Sequence, residues 1–174
     1  MRTAPYIDFA SFSAEQQKFE YYDQKFTLHP DRLSSLKLPV TLRWNQTKFQ
    51  ENNVNAVTEE PGVYAFAVAN DAPGLPPHGY ILYIGQTKGK TRVKTLRDRM
   101  KEYFQERRRP KRVGVWLFLN KWKGSLFFLF APVDPKRFDL LDIERQLNDA
   151  VVPPYSQQDF SPRIRKMQRL RRFK

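Results

Sequence analysis

Cysteine is absent from the sequence, and histidine occurs only twice, as His29 and His78. Without cysteine the chain can form neither disulfide bonds nor thiolate zinc sites, which is consistent with a reducing compartment. There is also no basic start followed by an apolar stretch, and the longest apolar run, residues 126–133, is too short to span a membrane. We therefore expect a cytoplasmic protein that has no membrane partner and no zinc centre.

Acidic residues are scarce in the second half of the chain. Residues 1–87 contain seven Lys/Arg and nine Asp/Glu, whereas residues 88–174 contain 24 and nine, so the whole positive excess lies after residue 87. A surface that binds a polyanion produces such an asymmetry, because an ordinary solvated surface mixes charges of both signs. The asymmetry therefore favours a nucleic-acid partner, although a ribosome-type or membrane-surface protein could also carry it.

Two short segments rich in β-branched and aromatic residues, 62–68 and 80–85, flank a loop that contains three prolines and two glycines. This composition is typical of two strands separated by a turn, since proline and glycine stop both strands. The pattern predicts an antiparallel hairpin with Tyr64 on one strand and Tyr83 on the other. Gly85, at the end of the second strand, allows the backbone to approach its neighbours closely.

Apolar residues recur at helical spacing in two later segments. Leu96, Met100 and Phe104 lie at i, i+4 and i+8, which predicts a helix over residues 94–107. A second helix is predicted over residues 137–148.

Other segments carry weaker patterns. Two apolar runs, residues 113–119 and 125–130, predict a second hairpin, or a third strand with an edge partner. Upstream, a capping-box pattern predicts a helix over residues 14–26. A short strand is predicted over residues 39–44, and a loop is predicted over the Asn-rich residues 45–55.

Together these segments predict an α/β domain with a small, three-stranded, mainly antiparallel sheet flanked by helices. We assign residues 1–58 to a helical or irregular extension, residues 59–160 to the core and residues 161–174 to a basic tail. The tail contains seven Lys/Arg among fourteen residues and no acidic residue, and its apolar residues recur every three positions. This pattern would suit a basic amphipathic helix.

Five short motifs follow one another in a defined order. They read G-V-Y at residues 62–64, Y-I-G at 83–85, L-x-x-R-M-x-x-Y-F at 96–104, E-x-x-L at 144–147 and P-x-Y at 153–155. In this order and on these elements, the set resembles the GIY-YIG nuclease superfamily, with G-V-Y in place of G-I-Y. That superfamily includes a bacterial excision-repair nuclease subunit, intron homing endonucleases and some restriction enzymes.

The resemblance implies four catalytic residues: Tyr64, Tyr83, Arg99 and Glu144. Phosphodiester hydrolysis requires a divalent cation and a cationic side chain to stabilise charge on the phosphoryl group. A carboxylate suits Mg²⁺, which needs only one or two protein ligands, so Glu144 would be the metal ligand, with Mn²⁺ able to substitute. A guanidinium forks onto two phosphate oxygens, which is the role implied for Arg99.

Two of these roles have alternatives. The basic loop after Gly85 is longer than the corresponding loop of the family, so Arg92 and Arg97 are alternatives to Arg99, although Arg97 cannot share the helix face of Arg99. An adjacent metal and arginine would lower the pKa of a phenol. The resemblance implies that one tyrosine activates or positions the attacking water, and we prefer Tyr64 for this role.

Two positions depart from the family pattern. Gln86 stands where several members have lysine, and Ser156 stands where asparagine is usual. Gln157 or Gln158 could take over the hydrogen bonds of that asparagine. Neither departure removes the tyrosines, the arginine or the glutamate, so we expect an active enzyme.

Basic residues after position 87 are expected to contact DNA phosphates. These candidates are Lys88, Lys90, Arg92, Lys94, Arg107, Arg108, Arg109, Lys111, Arg112, Arg163 and Arg165. Aromatic residues of the predicted helix over residues 14–26 either pack on their own domain, which we favour, or form a homodimer contact.

The sequence thus predicts a metal-dependent endonuclease that hydrolyses DNA phosphodiester bonds by direct attack of water, in restriction, phage defence or a mobile element. The alternative is a non-catalytic nucleic-acid-binding protein on the same scaffold, which would show salt-dependent affinity without cleavage. A third hypothesis is a basic RNA-binding protein in which the five motifs occur by chance. Such a protein would prefer RNA and its single-stranded loops.

Overall fold

The computed structural model describes residues 16–18, 20–70, 78–88, 93–156 and 160–171, without the side chains of Asn70 and of residues 167–171. Within these ranges the chain forms a mixed α/β structure around a four-stranded antiparallel sheet. The strands are β1 (Asn45–Lys48), β2 (Gly62–Asn70), β3 (His78–Gln86) and β4 (Leu126–Pro132), and their spatial order is β1-β4-β2-β3.

Strand β2 lies at the centre of the sheet, between β3 and β4. The antiparallel pairing of β2 with β3 confirms the predicted hairpin. A bulge interrupts this pairing, because Phe66 faces Tyr83 whereas Ala67 faces Ile81. The extra residue, Leu82, therefore packs in the same hydrophobic cluster as Tyr83. This local irregularity places two successive side chains of β3 on one face of the sheet.

Helices cover both faces of the sheet. They are α1 (Pro30–Ser34), the 3₁₀ helix η1 (Glu51–Ala56), α2 (Leu96–Arg108), α3 (Val113–Lys121), α4 (Leu140–Val151) and α5 (Pro162–Arg171). Helix α2 begins where its sequence specifies, because Thr95 and Asp98 form a reciprocal capping box. In the described part of the chain, none of the helices combines the length and the apolar character needed to cross a bilayer.

Alternation along β2 divides the core into two layers. Tyr64 and Phe66 pack with residues of α2 and α3 on one face, and Val63 and Ala65 pack with α4 on the other. The sheet thus separates α2 and α3 from α4, and any site that uses residues of both layers must lie at the edge of the sheet.

The predicted strand over residues 113–119 is wrong, because this segment forms helix α3. Val115, Phe118 and Leu119 are buried, and their i, i+3, i+4 spacing marks one helical face. A seven-residue apolar run fits either a buried strand or a short helix, and packing against α2 decides in favour of the helix. Residues 126–132 form the expected neighbouring strand, which pairs with β2 and β1 instead of with residues 113–119.

The sheet also has a fourth strand that the prediction of three strands lacks. Residues 39–44 form no strand; strand β1 starts at Asn45, inside the segment predicted to be a loop, and Asn45 pairs with Phe130 of β4. Its sequence is entirely polar, so its pairing with β4 and not its own propensity determines its structure. This strand comes from residues 1–58, which the sequence assigned to an extension.

The two ends of the chain are partly helical. Residues 16–18 and 20–22 lie in helical conformation within the helix predicted over residues 14–26. At the other end, helix α5 begins at Pro162, and Ile164 is buried together with Val152 and Phe160. The start of the basic tail is therefore packed onto the domain.

Candidate active site

Tyr64 occupies the centre of the candidate site, in the middle of the sheet, and its side chain is fully buried. The residue opposite it on β3 is Gly85. A Cβ atom at position 85 would lie 2.4 Å from the hydroxyl oxygen of Tyr64 and 2.5 Å from its Cζ atom. The phenol therefore lies across a glycine that has no side chain to obstruct it, with its hydroxyl directly over strand β3.

Gly85→Ala is expected to destabilise the fold by about 2 kcal/mol, because the new methyl group would collide with a phenol held in a packed core. Gly114→Ala is the matched control: nothing lies within 4 Å of a Cβ atom there, and an alanine inside a helix should stabilise it by about 0.5–1 kcal/mol. Urea unfolding of the two variants measures both changes. Equal midpoints for wild type and Gly85→Ala would show that Tyr64 does not lie across this glycine.

Three phenols lie together on this face of the sheet. The hydroxyl groups of Tyr64 and Tyr103 are 2.9 Å apart and share a hydrogen bond, and the Tyr83 ring lies 6.4 Å from the Tyr64 ring and 6.1 Å from the Tyr103 ring, centroid to centroid. The predicted pair Tyr64 and Tyr83 is thus in one cluster. Tyr103 was missed as a site residue, although its position four residues after Arg99 on the same helix face could have indicated it.

Arg99 joins the phenols to a carboxylate. Its Nη2 atom donates a hydrogen bond of 2.8 Å to the hydroxyl of Tyr64, and its Nη1 atom donates one of 2.8 Å to Glu102. Its buried Nε atom has no acceptor among the described residues. Glu102 also forms an ion pair with Lys94. The guanidinium is thus oriented by neighbours on two sides, and its Nε–H is a donor without an acceptor among the described residues.

The structure separates two of the three arginines that the sequence left as alternatives, Arg97 and Arg99. Arg97 donates hydrogen bonds to the backbone oxygen of Val57 (2.8 Å) and to Glu59, so it ties helix α2 to the segment before β2. Arg92 lies outside the described residues. Arg99 alone of the two described arginines contacts the phenol cluster.

Burial keeps the phenols of Tyr64 and Tyr103 protonated. It raises the pKa of Tyr64 well above that of an ordinary tyrosine, and the neighbouring Tyr103 and Glu144 raise it further, whereas the positive charge of Arg99 opposes the shift. The pKa of Tyr103 is raised for the same first reason, burial, against the opposing charges of Arg99 and Arg112. Burial therefore outweighs the positive charge of Arg99, and Tyr64 is a neutral phenol at neutral pH.

The raised pKa predicts that Tyr64 stays protonated where exposed tyrosines ionise, near pH ~10–11. Ultraviolet titration of the folded wild type and of Tyr64→Phe should then give equal numbers of ionising phenols, whereas in denaturant the wild type should give one more. Because the unfolded phenol loses its proton first, the free energy of unfolding should fall as the pH rises above ~10, and less steeply in Tyr64→Phe. If folded Tyr64→Phe gave one ionising phenol fewer than the folded wild type, the prediction would be contradicted.

Glu144 approaches the same site from helix α4, on the opposite face of the sheet. Only 6% of its surface is exposed, yet its charge acts on the Tyr64 phenol and raises the pKa of that phenol. Helix α4 packs against β3, the edge strand across which Tyr64 extends. The two layers of the core therefore meet at this edge, as the predicted combination of Tyr64, Arg99 and Glu144 requires.

Glu144 is the carboxylate to which the sequence analysis assigns a magnesium ion. No group of three or more His, Cys, Asp or Glu side chains lies together among the described residues. Mg²⁺ needs only one or two carboxylates and keeps several waters. One turn along α4, Asn148 is fully buried, and neither its oxygen nor its nitrogen has a hydrogen-bond partner in the described part of the chain. This unused amide oxygen adds a second candidate ligand or water contact beside the carboxylate.

A basic groove with a volume of about 770 Å³ adjoins the phenol cluster. Its lining residues are mainly cationic: Lys94, Arg108, Arg109, Lys111 and Arg112, with Glu102, Glu106 and Gln105. Glu106 shapes the far wall by accepting hydrogen bonds from the backbone nitrogens of Lys111 and Arg112, and these bonds lower its pKa despite its burial.

Two residues connect the groove to the cluster. Glu102, which lines the groove, holds Arg99 in place, and the guanidinium of Arg112 lies 5.2 Å from the centre of the Tyr103 ring. The groove is thus linked to Arg99 through Glu102 and to the phenol cluster through Arg112.

Five of the predicted DNA-binding residues line this groove, and the others are distributed differently. Arg107 instead packs over the rings of Phe49 and Phe104 and lies 3.8 Å from Glu51. Lys88 lies 3.8 Å from Asp139. The remaining candidates are Arg163 and Arg165, which are exposed on α5, and Lys90 and Arg92, which lie outside the described residues.

The two departures from the family pattern have structural contacts. The buried hydroxyl of Ser156 accepts a hydrogen bond of 3.0 Å from the backbone nitrogen of Ile84 and so occupies the outer edge of β3. The side chain of Gln86 exchanges hydrogen bonds with the backbone of Lys88. Gln157 and Gln158 lie outside the described residues.

Comparisons with known proteins add no relative: no protein-family model matches the chain, and searches of curated proteins and of solved structures found no match.

Proposed function

We propose that the protein is a metal-dependent endonuclease that hydrolyses phosphodiester bonds in DNA and has a GIY-YIG-like site. The observation that supports this proposal most strongly is the meeting of Arg99, Tyr64 and the charge of Glu144 at the end of a basic groove. Each member alone has ordinary structural explanations. Their combination supplies a phosphate-binding cation, a hydrogen-bonding hydroxyl and a metal-binding carboxylate within one site.

Each residue has a role that its contacts support. The groove cations hold phosphates on either side of the scissile bond. Arg99, oriented by Tyr64 and Glu102, binds the non-bridging oxygens and stabilises the charge that develops on them. Glu144 would hold Mg²⁺, with Asn148 nearby on the same helix; when bound, the ion supplies a Lewis acid and lowers the pKa of a water.

Tyr64 acts as a neutral phenol in this scheme. As a neutral phenol it can orient the attacking water by hydrogen bonding. Its hydroxyl shares a hydrogen bond with the hydroxyl of Tyr103, which holds the phenol in position. This refines the role that the resemblance implies for the first tyrosine, which is activation or positioning of the water.

The test is the cleavage of supercoiled plasmid by purified protein in Mg²⁺, in Mn²⁺ and in chelator. Metal-dependent nicking or linearisation is expected, and an Arg99→Ala sample purified in parallel controls for contaminating nucleases. Tight, salt-sensitive binding without cleavage in either metal, on duplex and on single strands, would instead support a non-catalytic DNA-binding protein.

A further inference from the structure

Helix α3 is apolar on both of its faces. Val115, Phe118 and Leu119 face the core, yet Val113, Trp116 and Leu117 are 72%, 38% and 47% exposed. The three exposed residues lie at i, i+3 and i+4, so they form one continuous outer face. A surface helix ordinarily turns polar residues outward, and a contiguous exposed apolar surface marks an interaction site.

The charges around this face indicate what binds there. Residues 107–133 contain seven Lys/Arg and no acidic residue. Arg112, which lines the basic groove, is also the N-cap of α3, so Val113 and Trp116 follow within one turn of the groove. At the other end of the helix, Lys121 donates a hydrogen bond of 2.9 Å to the backbone oxygen of Asp23. An apolar face that begins at a cationic groove complements a ligand that has flat apolar surfaces joined by phosphates.

We propose that the outer face of α3, formed by Val113, Trp116 and Leu117, binds unpaired nucleotides, with the Trp116 indole stacked on a base. Bases present their faces only where they are unpaired or unstacked, and a tryptophan beside a cationic groove is suited to such bases. This inference rests on the proposed function, because it takes the groove to hold the phosphates of the same strand. It specifies the substrate further: single-stranded, flapped or bulged DNA in preference to fully paired duplex.

The proposal can be tested by fluorescence anisotropy with a labelled single-stranded oligonucleotide and its blunt duplex, in chelator so that neither is cleaved. Trp116→Ala is expected to weaken binding of the single strand by about 10-fold or more, and to change binding of the duplex by less than about 2-fold. Trp116→Tyr should retain most of the affinity, since it keeps an aromatic face. Trp44→Ala, which removes another tryptophan that is 40% exposed, is the control and should change neither.

Several results would overturn the inference. Equal losses on both DNAs, or no loss on either, would remove the role of Trp116 in strand discrimination. A markedly lower thermal stability of Trp116→Ala would show that the face packs within the chain. Two other results would assign the face to a different partner, provided that Trp116→Ala leaves DNA binding intact. If the wild type binds anionic phospholipid vesicles and Trp116→Ala does not, the face binds a membrane. If the wild type sediments as a dimer and Trp116→Ala as a monomer, the face binds a second copy of the chain.

The outcomes separate this inference from the proposed function. Cleavage by a protein that shows no strand discrimination would overturn only the role of α3. Trp116-dependent discrimination by a protein that never cleaves would overturn only the endonuclease.

Discussion

Glu144→Gln is expected to lower the rate of plasmid cleavage by about 10³-fold or more, because the substitution removes the one carboxylate whose charge reaches Tyr64 from helix α4. The amide keeps the volume and hydrogen-bonding capacity of the buried side chain, so the fold should persist. It provides no anionic ligand, so added Mg²⁺ should no longer support cleavage. Initial rates of supercoiled plasmid loss at several Mg²⁺ concentrations measure the effect.

Asp142→Asn is the matched control for this variant. Asp142 lies on the same helix, half-buried, and accepts a hydrogen bond of 2.7 Å from Gln146; at i−2 it cannot share the helix face of Glu144. Its cleavage rate should stay within about 3-fold of the wild type. DNA affinity in chelator should be unchanged in both variants. If Glu144→Gln cut at the wild-type rate while unfolding at the same urea concentration, Glu144 would not be the metal ligand.

Arg99→Lys is expected to reduce cleavage by about 10²-fold or more while weakening DNA binding far less. Lysine keeps the positive charge, but it cannot donate in parallel to two phosphate oxygens, nor can it bridge Tyr64 and Glu102 as the guanidinium does. The loss should therefore appear in the single-turnover rate measured at saturating protein, where binding no longer limits the reaction.

Arg97→Lys is the control, and it also decides between two arginines of the same helix. Arg97 binds the backbone of Val57 and the carboxylate of Glu59, so its replacement should lower thermal stability slightly and leave the single-turnover rate within about 3-fold. A greater loss of cleavage in Arg97→Lys than in Arg99→Lys would show that Arg97, and not Arg99, is the catalytic arginine. Equal, small effects in both would show that neither Arg97 nor Arg99 takes part in the chemistry.

Local sequence patterns specified much of the fold. The predicted hairpin forms as β2 and β3, and the helices predicted over residues 94–107 and 137–148 form as α2 and α4 with small shifts of their ends. These elements carry strong local signals: proline and glycine at the turn, apolar residues at helical spacing, and a capping box at Thr95.

Weaker local signals left the structure of two segments to tertiary contacts. Residues 113–119 are apolar at every position except Gly114, so periodicity could not distinguish a strand from helix α3. Strand β1 is polar and short, and it exists because β4 offers an unpaired edge. The secondary structure of such segments depends on packing partners that are distant in sequence. The residue pattern of one segment gives no information about those partners.

The same division holds for the candidate site. The sequence by itself determined which residues are available: two tyrosines on paired strands, an arginine on one helix, a glutamate on another, and a basic second half of the chain. Only the tertiary structure decided that Tyr64 crosses Gly85 to contact Arg99, that Tyr103 joins them, and that burial holds the phenols neutral. Contacts across a sheet and the loss of solvent depend on the whole fold, because they arise between residues far apart along the chain.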